Sequence, residues 1–220
     1  MNAFIFDLNG TMIDDMTFHT EVWYQIMVKE KGAQLSKEQV KQEMYGKNRD
    51  VLNRVFGEGY FLEDEIEKMS LEKERRYQEL YRPHLKLING LDSFLEKAYQ
   101  CGIPMAIGSA AITFNIDFVL DGLQIRKYFP VTVSADDVQN SKPDPETFLK
   151  AAAGLKAKPE HCIVFEDNPK GVLSASKGGM KSVVITTMHT EEEFEGLSDV
   201  LFFIEDYTDP RLHKLLESIV

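Results

Sequence analysis

Phe4-Ile5-Phe6-Asp7-Leu8-Asn9-Gly10-Thr11 is the stretch whose reading decides the fold. Its apolar approach, Ala3 to Phe6, reads as a buried strand, and it stops abruptly at a carboxylate, an amide, a glycine and a hydroxyl. In an open parallel sheet the carboxyl ends of the strands point into the crevice where ligands bind, which makes Asp7 a candidate reactive group. Gly10 lets the backbone turn sharply behind it.

Working outward, residues 16–31 carry Phe18, Val22, Trp23, Ile26 and Met27 at helical spacing, and Gly32 stands where a helix would end. Ser36 with Gln39 resembles a capping box opening a second helix. Residues 48–56 predict a third, and 63–82 form a long, highly charged helical pattern stopped by Pro83. Nothing in this block reads as a strand, so residues 16–84 are expected to form an all-helical insert. Beyond it strands and helices alternate: helix 91–100, strand 104–107, helix 112–120, strand 131–134, helix 144–155 opened by Asp144-Pro145, strand 162–165, helix 169–178, and strands 182–185 and 200–204. That rhythm predicts an α/β fold built on a doubly wound parallel sheet, with residues 1–15 and 85–220 as the core and 16–84 as the insert.

Composition narrows the function classes. A net charge of -11, from 36 acidic against 25 basic residues, disfavours nucleic-acid or anionic-membrane partners held by bulk charge. A local basic site for a small anion stays compatible with it. Hydrophobic residues at 43% suffice for a sizeable core, and no stretch reaches the length of a membrane span. Cys101 and Cys162 both sit in apolar sequence surroundings without metal-site spacing, which suits a reducing cytosol. The apolar run before Asp7 is too short for a signal peptide. A cytoplasmic monomer is the expectation.

Chemistry enters with the residues just past the strands. Asp7 succeeds the first, Gly108 and Ser109 the second, Lys142 comes after the third and its loop, and Glu166 and Asp167 succeed the strand at 162–165. A carboxylate, a hydroxyl, an ammonium and a carboxylate pair are thereby presented at one sheet edge. Two or three carboxylates can hold Mg²⁺, which prefers oxygen ligands and also binds phosphate. A serine, a lysine and main-chain N–H groups can hold the remaining phosphate oxygens.

These residues resemble the four motifs of the haloacid dehalogenase-like hydrolase superfamily: Asp7-Leu8-Asn9-Gly10-Thr11, Ser109, Lys142 in Ser-Lys-Pro-Asp-Pro-Glu-Thr-Phe, and Phe165-Glu166-Asp167-Asn168, in that order. The resemblance covers nearly the whole chain and is greatest to the branch of beta-phosphoglucomutase and sugar-phosphate phosphatases. It implies a Rossmann-like core with an α-helical cap inserted after the first strand, the cap closing over the crevice. It implies Asp7 as the nucleophile that takes up a phosphoryl group, and Mg²⁺ held by Asp7, the Asn9 main-chain carbonyl and Asp167, with Glu166 close by. Ser109, Ala110 and Lys142 are implied around the transferred group, on a small phosphorylated metabolite as substrate. In the cap it implies substrate contacts from His19, Arg49 and Lys73, and Trp23, four residues from His19 and on the same helix face, is a candidate beside them.

Asn9 departs from the family, whose phosphatases and mutases carry a second aspartate there to protonate the leaving oxygen. General acid–base help is worth about 10² to 10⁴ in rate, so a slow phosphomonoesterase is expected. Three explanations stay open: a replacement introduced into an active enzyme, a natural residue suited to a leaving group that needs no proton, or a protein that kept binding and lost turnover. Hydrolysis and mutase chemistry stay open as well. The plainer readings are Ser109 as the N-cap of the next helix, Trp23 as core, Arg49 and Lys73 as solvated charges, and Glu191-Glu192-Glu193 as a solvated helix start. His161, His189 and His213 form no constellation in the sequence.

Overall fold

The first strand, β1 (Ala3–Phe6), is buried at all four positions, as a central strand of a parallel sheet covered on both faces must be. The structure is a computed structural model, and it describes residues 2–219. The chain divides into two compact units, Asp15–Leu85 and the remainder.

The Asp15–Leu85 unit is helical throughout: α1 (Met16–Tyr24), α2 (Lys37–Glu43), α3 (Asn48–Phe56) and α4 (Glu63–Tyr81). The single helix expected over 16–31 is instead α1 followed by a π-helical turn, Gln25–Glu30, in which Lys31 N–H bonds the Ile26 carbonyl. The wider turn keeps the adjacent Ile26 and Met27 both buried. The capping box of α2 is present, with Gln39 N–H donating to Ser36 Oγ at 3.2 Å and Ser36 N–H to Gln39 Oε1 at 2.8 Å. Beyond α4 a 3₁₀ turn, Arg82–His84, carries Pro83, which lacks the N–H needed to continue an α-helix. The core of this unit is Val22, Trp23, Ile26, Val40, Leu52, Ile66, Tyr77 and Tyr81.

The other unit continues from β1 through α5 (Leu91–Gln100), β2 (Met105–Gly108), α6 (Thr113–Gly122), β3 (Val131–Val133), α7 (Glu146–Gly154), β4 (Cys162–Glu166), α8 (Pro169–Lys177), β5 (Lys181–Ile185), β6 (Val200–Ile204) and α9 (Pro210–Ile219). All strand pairs are parallel, in the order β3-β2-β1-β4-β5-β6. The order reverses at β1, the topological switch point at which open α/β sheets bind ligands. The helix expected at 144 begins at Glu146, yet the Asp-Pro signal operates: Asp144 Oδ1 accepts from Glu146 N–H at 2.9 Å. The C-terminal α9 was not among the expected elements. Cys101 is exposed rather than set in apolar surroundings. Among the described residues no helix is long and apolar enough to cross a membrane.

Alternation along β1 divides the core. Ala3 and Ile5 join Ala106, Phe148 and Val164 on one face, while Phe4 and Phe6 meet Phe94 and Phe165 on the other. Phe6 and Phe165 are register partners, and their rings stack at 4.5 Å between centroids. Burying each ring is worth about 1.5–3 kcal/mol, and a slip of one residue would turn both rings to the opposite face. The register is thereby pinned, and with it the next residues along each strand, Asp7 and Glu166.

Candidate active site

Asp7 is the first residue past β1, held there by its N–H on the Phe165 carbonyl at 2.9 Å. Glu166 ends β4 and Asp167 comes directly after it. Lys142, from the loop before α7, reaches between the two strands: its Nζ lies 2.7 Å from Asp7 Oδ1 and 2.8 Å from Glu166 Oε1, over the Phe148 ring at 4.3 Å from the centroid. Thr11 Oγ1 donates to Asp167 Oδ1 at 3.1 Å, and Asn168 N–H donates to Glu166 Oε2 at 2.7 Å while the Asn168 side chain caps α8. All three carboxyl residues are buried.

Two glycines make room for this crowd. Gly10 has φ +77°, and a Cβ on it would stand 2.1 Å from Asp167 Oδ2. A Cβ on Gly171, in the first turn of α8, would stand 1.7 Å from Glu166 Oε1.

Three carboxylates against one ammonium leave the site short of positive charge. Burial raises the Asp7 carboxyl to about 6, with Glu166 adding repulsion and Lys142 opposing it. Burial, then Glu166 and Asp7, push Asp167 well above the usual carboxylate range. Burial disfavours the Lys142 charge as well, but Asp7 and Glu166 outweigh it and keep the ammonium protonated. A hard divalent cation fits this imbalance, and oxygen donors fit Mg²⁺. Among the described residues no three His, Cys, Asp or Glu side chains converge as a ready cage. Two carboxylates, a main-chain oxygen and water make up the sparse protein set that Mg²⁺ accepts.

Ser109 directly succeeds β2 and is 1% exposed, with its N–H on the Val133 carbonyl. It is not the N-cap of the next helix: α6 starts at Thr113, and Ser109 Oγ accepts from Ala111 N–H at 3.2 Å, closing a tight turn through Ala110. Asn9 is half-buried in the loop between Asp7 and Gly10 and bridges to Ile13.

Inside the helical unit, His19, Trp23 and Lys73 are buried. Lys73 Nζ lies 2.7 Å from His19 Nδ1 and 3.0 Å from both Glu74 oxygens, and Asn48 Nδ2 donates to Glu74 Oε1 at 2.7 Å. His19 Nε2 faces Asp15 Oδ2 at 3.3 Å, Tyr77 hydroxyl donates to that same oxygen, and the His19 and Tyr77 rings stack. Lys73 is therefore no solvated charge, because His19 of α1 and its own neighbour Glu74 engage it in a buried setting. Arg49 forks onto the Glu63 carboxylate at the surface, a class of pair worth about 0–1 kcal/mol.

The sequence reading missed Tyr207, which is 5% exposed and donates to the Thr11 carbonyl at 3.0 Å. Burial, with Asp167 and Asp7 nearby, raises its phenol well above the ordinary value. No local pattern marks this tyrosine, because its role comes from packing across the fold. His189 does have a constellation in three dimensions: Asn168 Nδ2 at 3.2 Å and Glu193 Oε1 at 3.1 Å. The acidic run is a 3₁₀ turn, Glu191–Phe194.

Known proteins are similar to this chain in sequence and in fold. A phosphorylated carbohydrates phosphatase of Thermotoga maritima is 29% identical over 200 residues, covering 83% of this chain and 84% of that protein. The crystal structure of a family IA, variant 3 hydrolase from Entamoeba histolytica superposes with a TM-score of 0.87 at 25% identity, over 100% of this chain and 99% of that one. A beta-phosphoglucomutase from Clostridium difficile does so with a TM-score of 0.84 at 25% identity, over 100% and 97%. Residues 4–185, from β1 to the end of β5, match the family model named haloacid dehalogenase-like hydrolase. The strand-end residues that suggested phosphate chemistry thus lie within a stretch matched as a unit, and the chain belongs to the haloacid dehalogenase-like hydrolases, in the branch of the phosphatases and phosphoglucomutases.

Proposed function

We propose that the chain is a Mg²⁺-dependent phosphoryl-transfer hydrolase acting on a small phosphorylated metabolite, a sugar phosphate foremost, with Asp7 as nucleophile. The observation that carries this reading is the Lys142 ammonium between Asp7 and Glu166. It ties down one Asp7 oxygen and leaves the other to attack phosphorus in a fixed direction. Attack forms an Asp7 acyl phosphate as the phosphorus–oxygen bond to the leaving group breaks, and water attacking that phosphorus then returns free Asp7 and inorganic phosphate. Lys142 and Ser109 are the residues proposed to offset charge spreading over the transferred group. Asp7, the Asn9 carbonyl and Asp167, with Glu166 adjacent, are proposed to hold Mg²⁺. When bound, the ion offsets repulsion between the carboxylate and the phosphate. In the helical unit, Lys73, held by His19 and Glu74, is the proposed donor to a substrate hydroxyl.

Asn9 supplies no proton to the leaving oxygen, so turnover of a sugar phosphate by this chain is expected to be slow. The deciding experiment measures phosphate release with Mg²⁺ from sugar phosphates, pyrophosphate and acetyl phosphate, for this chain and for Asn9→Asp. A rise of about 10² to 10⁴ on sugar phosphates in Asn9→Asp supports the reading and places the deficit at residue 9. Isomerised sugar phosphate in place of free phosphate redirects it to mutase chemistry. No turnover by either protein overturns Asp7 as a working nucleophile.

A further inference from the structure

The loop after β5 touches both carboxylate-bearing loops and has no part in the phosphoryl-transfer scheme. Thr187 Oγ1 donates to the Gly10 carbonyl at 2.5 Å, on the turn behind Asp7. Two residues on, His189 Nε2 meets Asn168 Nδ2 at 3.2 Å, on the turn behind Asp167. The neighbours fix the hydrogen-bond roles. Asn168 Oδ1 already accepts from Lys170 N–H at 2.9 Å, so its amide nitrogen faces His189 as a donor. His189 Nε2 therefore accepts, and Nδ1 carries the proton toward Glu193. From Asn168 the chain of bonds runs on to Glu166 through the Asn168 N–H.

Both ends of this loop are anchored. Thr186 N–H bonds the Ile204 carbonyl of β6 at 2.9 Å. Past His189, buried Phe194 packs with Val172 of α8 and Val184 of β5. A segment fixed at both ends and bonded to two other loops sets the distance between them.

We infer that residues 186–190 form a clamp on the carboxylate site, in which Thr187 and His189 are positioning residues for its divalent cation. This rests on the proposed Mg²⁺ site. Thr187 holds the peptide that comes after the Asn9 carbonyl, and His189 holds Asn168, whose N–H holds Glu166. Neither side chain needs to touch the ion, since outer partners set ligand orientation.

The test is calorimetric titration of Mg²⁺ into the full chain, together with amide hydrogen exchange of residues 8–13 in the metal-free protein. Thr187→Val and His189→Leu remove the two bonds, whereas Thr187→Ser keeps the donor and His189→Gln keeps an acceptor. Thr187→Ala removes the hydroxyl a second way, should valine disturb folding. The expected result is Mg²⁺ binding weakened by about 10- to 100-fold in the Val and Leu variants, with near-parental affinity in Ser and Gln, and faster exchange at 8–13 in Thr187→Val. Parental affinity in the Val and Leu variants overturns the clamp and leaves the function proposal standing. A parent that binds no Mg²⁺ overturns the function proposal, and unchanged exchange at 8–13 then overturns the clamp as well.

Discussion

Replacing Lys142 by methionine keeps the length of the side chain and removes the charge between Asp7 and Glu166. In the parent the ammonium lies 2.7 and 2.8 Å from the two carboxylates, and all three side chains are no more than 9% exposed. Taking one partner from a buried ion pair costs about 3–5 kcal/mol, because the charge left behind is neither solvated nor matched. At about 2–4 °C per kcal/mol for 150–250 residues, the melting temperature should fall by about 6–20 °C in EDTA at pH 8. The pH dependence has a definite sign. Lys142 is the main influence holding Asp7 down against burial, so its loss lifts that carboxyl further above its present value of about 6. A carboxyl that is harder to ionise folded than unfolded destabilises the fold when ionised, so the deficit is full above the raised pKa and shrinks as pH falls toward the unfolded value. The melting gap between variant and parent should therefore be wide at pH 8 and narrower at pH 5, and Mg²⁺ at pH 8 should partly close it. Thermal melts followed by circular dichroism in those buffers decide the matter. A gap below about 2 °C at pH 8, or one that widens on acidification, would refute Lys142 as the counter-charge of the site.

Three further outcomes are expected. Gly171→Ala, which in an ordinary helix would stabilise by about 1 kcal/mol, should lower the melting temperature, because its Cβ would stand 1.7 Å from Glu166 Oε1; a higher melting temperature would mean that Glu166 has room to move. Mg²⁺ affinity measured by calorimetry should fall as pH drops through about 6, where Asp7 takes up a proton, and a flat profile from pH 8 to 5 would contradict the ligand assignment. Tyr77→Phe keeps the ring stacked on His19 but removes the hydroxyl donor from buried Asp15, so the helical unit should lose about 1–3 kcal/mol in urea unfolding; an unchanged midpoint would place no weight on that bond.

Much of the fold was legible because the decisive signals are local. The run Ala3 to Phe6 ending at Asp7, the Ser36 and Gln39 capping box and the third helix at Asn48–Phe56 need only near neighbours to be understood. The π turn after α1 was not legible, since its apolar residues keep helical spacing and only the hydrogen bonds shift. In α9, Asp209-Pro210 repeats the signal of Asp144-Pro145, with Asp209 Oδ1 accepting from Arg211 N–H and with Leu212 and Leu216 buried; it could have been recognised. The motif residues were identified by type and order, but their partners were not. Lys73 looked like one charge among many on α4, and only the approach of His19 and Asn48 from other helices encloses it and Glu74. The roles of Thr187, His189 and Tyr207 were not legible for the same reason: each side chain meets a residue outside its own stretch of sequence.

That remoteness bears on when the protein first acquires its chemistry. Lys142 meets Asp7 across 135 residues, Thr11 meets Asp167 across 156, and Tyr207 closes on Thr11 across 196. The helical unit, by contrast, is contained within Asp15–Leu85 and closes only short loops. Near contacts form early and distant ones late, during synthesis as in refolding. A nascent chain can complete its helical unit while Asp7 still has neither its lysine nor its companion carboxylates. Asp7, the proposed nucleophile, is made before the lysine and the carboxylates it needs and is equipped only when they arrive, so its site stays incomplete until β4 takes its place beside β1.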